Sequence, residues 1–142
     1  MKIDAQLGSL YPHLAAGMAR RMEAMGFDTV WSFEAGHDPF LPLMAAATAT
    51  ERLQIGTNIA VAFGRSPFAT AQAAWDLQQA SGGRFHLGLG TQVRAHIERR
   101  YDMPFEHPAA RLTDYIRCLR AIFDNFQNNT KPDYQGPFYR FI

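Results

Sequence analysis

Short runs in which apolar and polar residues alternate are separated by stretches with helical spacing, and this succession recurs along the chain. Ile3, Ala5 and Leu7 interleave with Lys2, Asp4 and Gln6, which predicts a strand ending at Gly8. From about Tyr11 the spacing becomes three and four, with Leu14, Met18, Met22 and Met25 on one stripe and Gly26 placed to close a helix. Residues 27–34 return to a period of two: Thr29, Trp31 and Phe33 share one side, Val30, Ser32 and Glu34 the other. Asp38-Pro39 then offers an N-cap and a proline at the first helical position for an Ala-rich helix to about Thr50.

A third strand follows, with Leu53, Ile55, Thr57, Ile59 and Val61 opposite Gln54, Gly56, Asn58 and Ala60. Ser66-Pro67 opens a helix carrying Phe68, Ala71 and Trp75. The most informative stretch is Ser81-Gly82-Gly83-Arg84-Phe85-His86-Leu87-Gly88-Leu89-Gly90-Thr91-Gln92. As a strand, 84–90 puts Phe85, Leu87 and Leu89 on one face and His86, Gly88 and Gly90 on the other. Glycine weakens a strand, so two on one face imply close approach of either a ligand or a crowded core. A helix opening at 91–100 directly after Gly90 would leave N–H groups free for an anion. The last helix, from Pro108 to Phe126, carries a stripe of Leu112, Tyr115, Ile116, Leu119, Ile122, Phe123 and Phe126. Residues 133–142 read as a turn running into an apolar strand.

Strands near 2–7, 28–34, 53–61 and 84–90 alternating with helices predict an α/β fold with a parallel sheet. Buried parallel strands are usually apolar throughout. A recurrent small or polar face of Ser32/Glu34, Gly56/Asn58 and Gly88/Gly90 is therefore the departure, and it lies toward the C-terminal strand ends where such folds place their sites. Close barrel packing would also use small residues there. A sheet of this size leaves two edges and one face uncovered. Residues 1–142 are thus expected to be a single partial domain, with 131–142 starting a further strand or hairpin, and to associate as a homodimer or otherwise with itself.

With 47% hydrophobic and 19% charged residues the chain is expected to be globular, not disordered. A net charge of +1 provides no field for nucleic acid or an anionic membrane. Arg84, Arg94, Arg99 and Arg100 form a local basic cluster, either a solvated helix face or an anion site. The single Cys118 excludes an internal disulfide and a multi-Cys metal site. His13, His37, His86, His96 and His107 are scattered, so no metal is expected. The first residues lack a signal peptide's apolar core and Pro39 and Pro42 break the longest apolar runs, which leads to an expectation of a cytoplasmic protein without a membrane span. Gly88-x-Gly90 lacks the third glycine of a dinucleotide fingerprint.

Several of these segments, in this order, resemble one family. Trp31-Ser32, Asp38-Pro39-Phe40, Ile55-Gly56-Thr57, Arg65-Ser66-Pro67 with Thr70-Ala71, and the 81–90 stretch are similar to the luciferase-like monooxygenase superfamily. Residues 91–101 with Met103-Pro104-Phe105 resemble its deazaflavin (coenzyme F420) branch. The resemblance covers nearly the whole chain and implies the first half of a TIM barrel, an F420- or FMN-dependent oxidoreductase or monooxygenase, and a small-molecule substrate. It implies a non-proline cis peptide at Asn58-Ile59 behind the cofactor ring, with Ala60 beside it. It implies cofactor contacts from Gly90, Thr91, Gln92 and Val93 toward the phosphate, an ionisable residue near the ring at Glu34, and His37 as runner-up. The rival reading is a small α/β module that binds a ligand or phosphate without redox chemistry, or an inactive fragment with an interaction role.

Overall fold

The structure, a computed structural model, describes residues 1–7 and 11–142, so the strand end expected at Gly8 lies outside the described residues. In chain order the elements are β1 (Asp4–Gln6), α1 (Pro12–Ala24), β2 (Thr29–Ser32), α2 (Leu41–Ala49), β3 (Gln54–Thr57), β4 (Ala60–Val61), a 3-10 turn (Ala62–Gly64) and α3 (Pro67–Ala80). They continue with β5 (Phe85–His86), β6 (Leu89–Gly90), α4 (Arg94–Arg100), α5 (Pro108–Asn128), β7 (Tyr134–Gln135) and β8 (Arg140–Phe141). The main sheet has the order β1-β2-β3-β5 and is parallel throughout. The chain divides into two compact units, Met1–Ala60 with Ala74–Leu89, and Val61–Ala73 with Gly90–Ile142.

The first unit is built on that sheet. Register places Val30 beside Ile55 and Ile55 beside Phe85, a row that is buried along its length. The neighbouring row of Gln6, Trp31, Gly56 and His86 points to the opposite side, where Gln6 and His86 are exposed. One face of the sheet is therefore covered and the other is polar and open. α1 packs on α2 through Ala15 and Ala19 against a helix whose Leu43, Ala46 and Ala47 are buried. This corrects the expected stripe: Leu14 and Met25 are exposed, because alanine lets two helix backbones approach where longer side chains cannot. Each fully buried Leu or Ile of this core contributes about 1.5–3 kcal/mol. Gly26 ends α1 as expected, its N–H reaching Glu23 O while Phe27 N reaches Met22 O, the paired bonds of a Schellman cap.

Two expected strands are interrupted. The third stops at Thr57 and resumes as β4, and the fourth is split into β5 and β6. β4 pairs with β6. The register also divides the face expected to be uniformly small or polar: Gly56 pairs with Trp31, while Ser32 pairs with Thr57 on the other side. A side chain at Gly56 would overlap the Trp31 ring, so this glycine makes room for an aromatic neighbour.

The second unit is organised by α5. Its buried residues are Arg111, Asp114, Tyr115, Cys118, Leu119 and Ile122, whereas Ile116 of the expected stripe is partly exposed. Asp114 accepts bonds from the Tyr134 hydroxyl and from the N–H groups of Phe138 and Tyr139, both at 2.9 Å, which seats the antiparallel β7–β8 hairpin on the helix. Arg111 donates from Nε to the Tyr139 hydroxyl at 2.8 Å and from Nη1 to Pro104 O at 2.6 Å, with its guanidinium 4.4 Å from the Phe63 ring centre. The fully buried Tyr115 shares a hydrogen bond with Thr70 and donates to Ser66 O at 3.1 Å.

Candidate functional site

In the first unit the C-terminal ends of β2 and β3 converge on residues 58–60. Asn58 N–H donates to Ser32 O at 2.7 Å, and Glu34 N–H donates to Ile59 O at 3.2 Å. The Asn58-Ile59 peptide is cis, the geometry implied at this position. On the other edge, Ala60 N–H donates to Gly88 O at 2.9 Å. Thr57 Oγ1 donates to the same oxygen at 2.8 Å and accepts from Gly88 N at 2.9 Å. This side chain takes both backbone groups of residue 88, which explains why the fourth strand breaks there. A side chain at Gly88 would overlap Thr57 O, so close backbone approach requires glycine at this point.

The resulting segment offers an exposed Asn58, a half-buried Ile59 and a buried Ala60, with half-buried Glu34 bonded to it through the backbone. The structure thus brings Glu34 together with Asn58, Ile59 and Ala60. His37 sits in the loop after β2 with its ring edge-on to Tyr11, centroids 4.8 Å apart. Ser32 Oγ, buried beside this segment in sequence register, has no hydrogen-bond partner.

Gly90, Thr91, Gln92 and Val93 belong to the second unit. Here the expected helix at 91–100 begins only at Arg94, because Gln92 adopts a left-handed φ of 61°. Thr91 Oγ1 donates to Gln92 O at 3.0 Å, and the Val93 N–H donates to Gln92 Oε1 at 3.1 Å. One of the turn's N–H groups is therefore occupied by the turn's own side chain.

The basic cluster does not act as one group. Arg84 spends its guanidinium on neutral oxygens: Ser81 O at 2.6 Å, Leu53 O at 2.7 Å, Ala47 O at 2.8 Å, and Thr50 O and Oγ1 at 3.0 Å. It closes the C-terminal end of α2, a task that requires a planar fork of donors. Arg94 instead pairs with Glu98 one helical turn on, at 2.8 Å, and lies 5.2 Å from the Phe105 ring centre. Glu23 is the counterpart anion: its carboxylate accepts from Arg52 N and Leu53 N at 2.7 Å and from Glu51 N at 3.1 Å. Desolvation, the largest single influence, pushes its pKa up, but the three backbone donors and the Arg52 charge together hold it below the usual glutamate value. Thr57 and Arg84 were invisible as site-building residues in the sequence, since neither spacing nor motif reports what a side chain does for a backbone one strand away.

Among the described residues no group of three or more His, Cys, Asp or Glu could hold a metal ion, and no helix is long and apolar enough to cross a membrane. Cys118 is free and buried.

The chain is 54% identical over 139 residues to an uncharacterised protein of Mycobacterium tuberculosis, covering 98% of this chain and 41% of that protein. It is 36% identical over 144 residues to a provisionally named coenzyme F420-dependent oxidoreductase of the same organism, covering 99% of this chain and 41% of that protein. Among solved structures it is similar to the oxygenating constituent of 3,6-diketocamphane monooxygenase of Pseudomonas putida in complex with FMN, with TM-score 0.81 and 15% identity, covering 99% of this chain and 44% of that one. The chain spans about two fifths of the length of the curated relatives it matches. Its fold is α/β of the TIM-barrel type, corresponding to the first four strand–helix units of a (β/α)8 barrel. With residues 4–141 matching the model of the luciferase-like monooxygenase family, the chain belongs to that family.

Proposed function

We propose that this chain forms part of an oxidoreductase that works with a flavin-type ring, coenzyme F420 in preference to FMN, on a small organic substrate. The observation that carries this reading is the 58–60 segment, anchored by backbone bonds on both edges and presenting Asn58 and Ile59 at the C-terminal end of the sheet. A flat tricycle needs such a firm surface with polar groups at its rim. In the reading, Asn58, Ile59 and Ala60 support the ring and Glu34 holds a proton or a hydrogen bond near it, with His37 as the second candidate for that role. Gly90, Thr91, Gln92 and Val93 serve the phosphate: Thr91 brings a hydroxyl, and Val93 an N–H that becomes available once the Gln92 amide turns aside. Bound there, the ring would supply the redox chemistry, hydride transfer or monooxygenation of the substrate. F420 takes precedence because a relative at 36% identity carries that cofactor in its name, whereas the structural neighbour in complex with FMN is only 15% identical.

The test is a calorimetric titration of the full-length gene product with each cofactor. F420 binding more tightly than FMN is expected. FMN preference would reverse the cofactor assignment, and binding of neither would favour the non-redox α/β module.

A further inference from the structure

We propose that Thr57 is the positioning residue for the cofactor, an inference that rests on the function proposed for the 58–60 segment. Its side chain is fully buried, so it can act only through what it holds. It holds Gly88 by both backbone groups, at 2.8 and 2.9 Å. Gly88 O also accepts from Ala60 N, so the residues immediately before and after Asn58-Ile59 are tied to one peptide oxygen. On the opposite edge Ser32 O and Glu34 N hold Asn58 N and Ile59 O. The 58–60 segment is thus suspended between two strand ends, and on the Gly88 side the Thr57 hydroxyl sets the spacing together with the Ala60 N–H. Replacing that hydroxyl by a methyl group keeps the volume nearly the same but leaves the half-buried Gly88 N–H without this acceptor, a cost met most easily by movement of the segment above it. A ring resting on Asn58 and Ile59 would then lose its fit.

Thr57→Val and Thr57→Ser in the full-length gene product separate this role from general stability. Calorimetric titration with F420 and FMN is expected to show Thr57→Val weakened about tenfold or more for whichever cofactor the unaltered protein binds, and Thr57→Ser within about threefold, as loss and retention of the hydroxyl's two hydrogen bonds to Gly88 imply. The melting temperature of the cofactor-free proteins is followed alongside, and affinity is expected to track the hydroxyl even where melting temperatures agree. Equal affinity of Thr57→Val and the unaltered protein overturns the inference while leaving the functional reading intact. Failure of the unaltered protein to bind either cofactor overturns both. If Thr57→Val does not fold, amide hydrogen exchange on the unaltered protein decides: cofactor is expected to slow exchange at Gly88 and Ala60, and unchanged exchange at both overturns the inference.

Discussion

Arg84 and Glu23 show how single side chains terminate the backbone of this fold. Arg84 donates to the carbonyl oxygens of Ala47, Thr50, Leu53 and Ser81, the first two at the C-terminal end of α2. Arg84→Ala should cost about 2–4 kcal/mol, since several half-buried acceptors are abandoned together. Arg84→Lys should recover little of it, because one ammonium cannot span four carbonyls; urea denaturation of the three proteins measures both. Glu23 is tied to the N–H groups of residues 51–53. Its folded pKa lies below the unfolded one, so its contribution is complete above the ordinary glutamate range and is lost as pH falls through the folded value. Glu23→Gln should therefore flatten the acid limb of a stability-versus-pH curve, an effect kept small by solvent screening. The identity of both residues as charged was plain in the sequence, yet the basic cluster reading grouped Arg84 with Arg94, Arg99 and Arg100, because three of the four carbonyls it serves, those of Ala47, Thr50 and Leu53, lie more than thirty positions away.

At the scale of elements, the β7–β8 hairpin is held to α5 by the buried Asp114 carboxylate and by Arg111, which donates to the Tyr139 hydroxyl. Burial first, then the hydrogen bond to Asp114 and that residue's negative charge, push the Tyr134 pKa up to about 12. A folded pKa above the unfolded value means that stability is complete below the usual tyrosine range and is lost as pH rises through the folded value. The hairpin should accordingly detach between about pH 10 and 12, ahead of the rest of the second unit, as read by hydrogen exchange at Phe138 and Tyr139. Gly136 lies against Asp114 so closely that any side chain there would overlap the carboxylate. Gly136→Ala should shift that detachment to lower pH and lower the melting temperature. Element existence was legible in period and punctuation: Gly26 and Ser66-Pro67 mark their helices where expected, whereas the helix expected from Pro39 begins at Leu41, with Asp38 accepting from Phe40 N and Leu41 N ahead of it. What was not legible is that α5 buries Arg111 and Asp114, since a stripe counted from apolar residues cannot include polar ones whose partners arrive from a later hairpin.

For the whole molecule, the one-sided burial of the β1-β2-β3-β5 sheet is the decisive feature. Gln6 and His86 remain exposed opposite the buried Val30, Ile55 and Phe85, and among the described residues β1 and β5 are the outer strands of the sheet. The chain of residues 1–142 taken alone should therefore associate with itself at micromolar concentration in analytical ultracentrifugation, and a stable monomer would contradict that expectation. Alternation of period two with period three-to-four, read together with glycine, proline and capping residues, determined the α/β class and the order of elements, because these signals are local and depend on backbone conformation alone; the resemblance to the family rested instead on ordered motifs such as Ile55-Gly56-Thr57 and the 81–90 stretch. Only the tertiary structure decided which faces carry the glycines, where the third and fourth strands break, and that Thr57 and Arg84 bind backbone in neighbouring elements. Strand register and side-chain-to-backbone bonds between segments some thirty residues apart follow from packing, and packing leaves no period in a sequence.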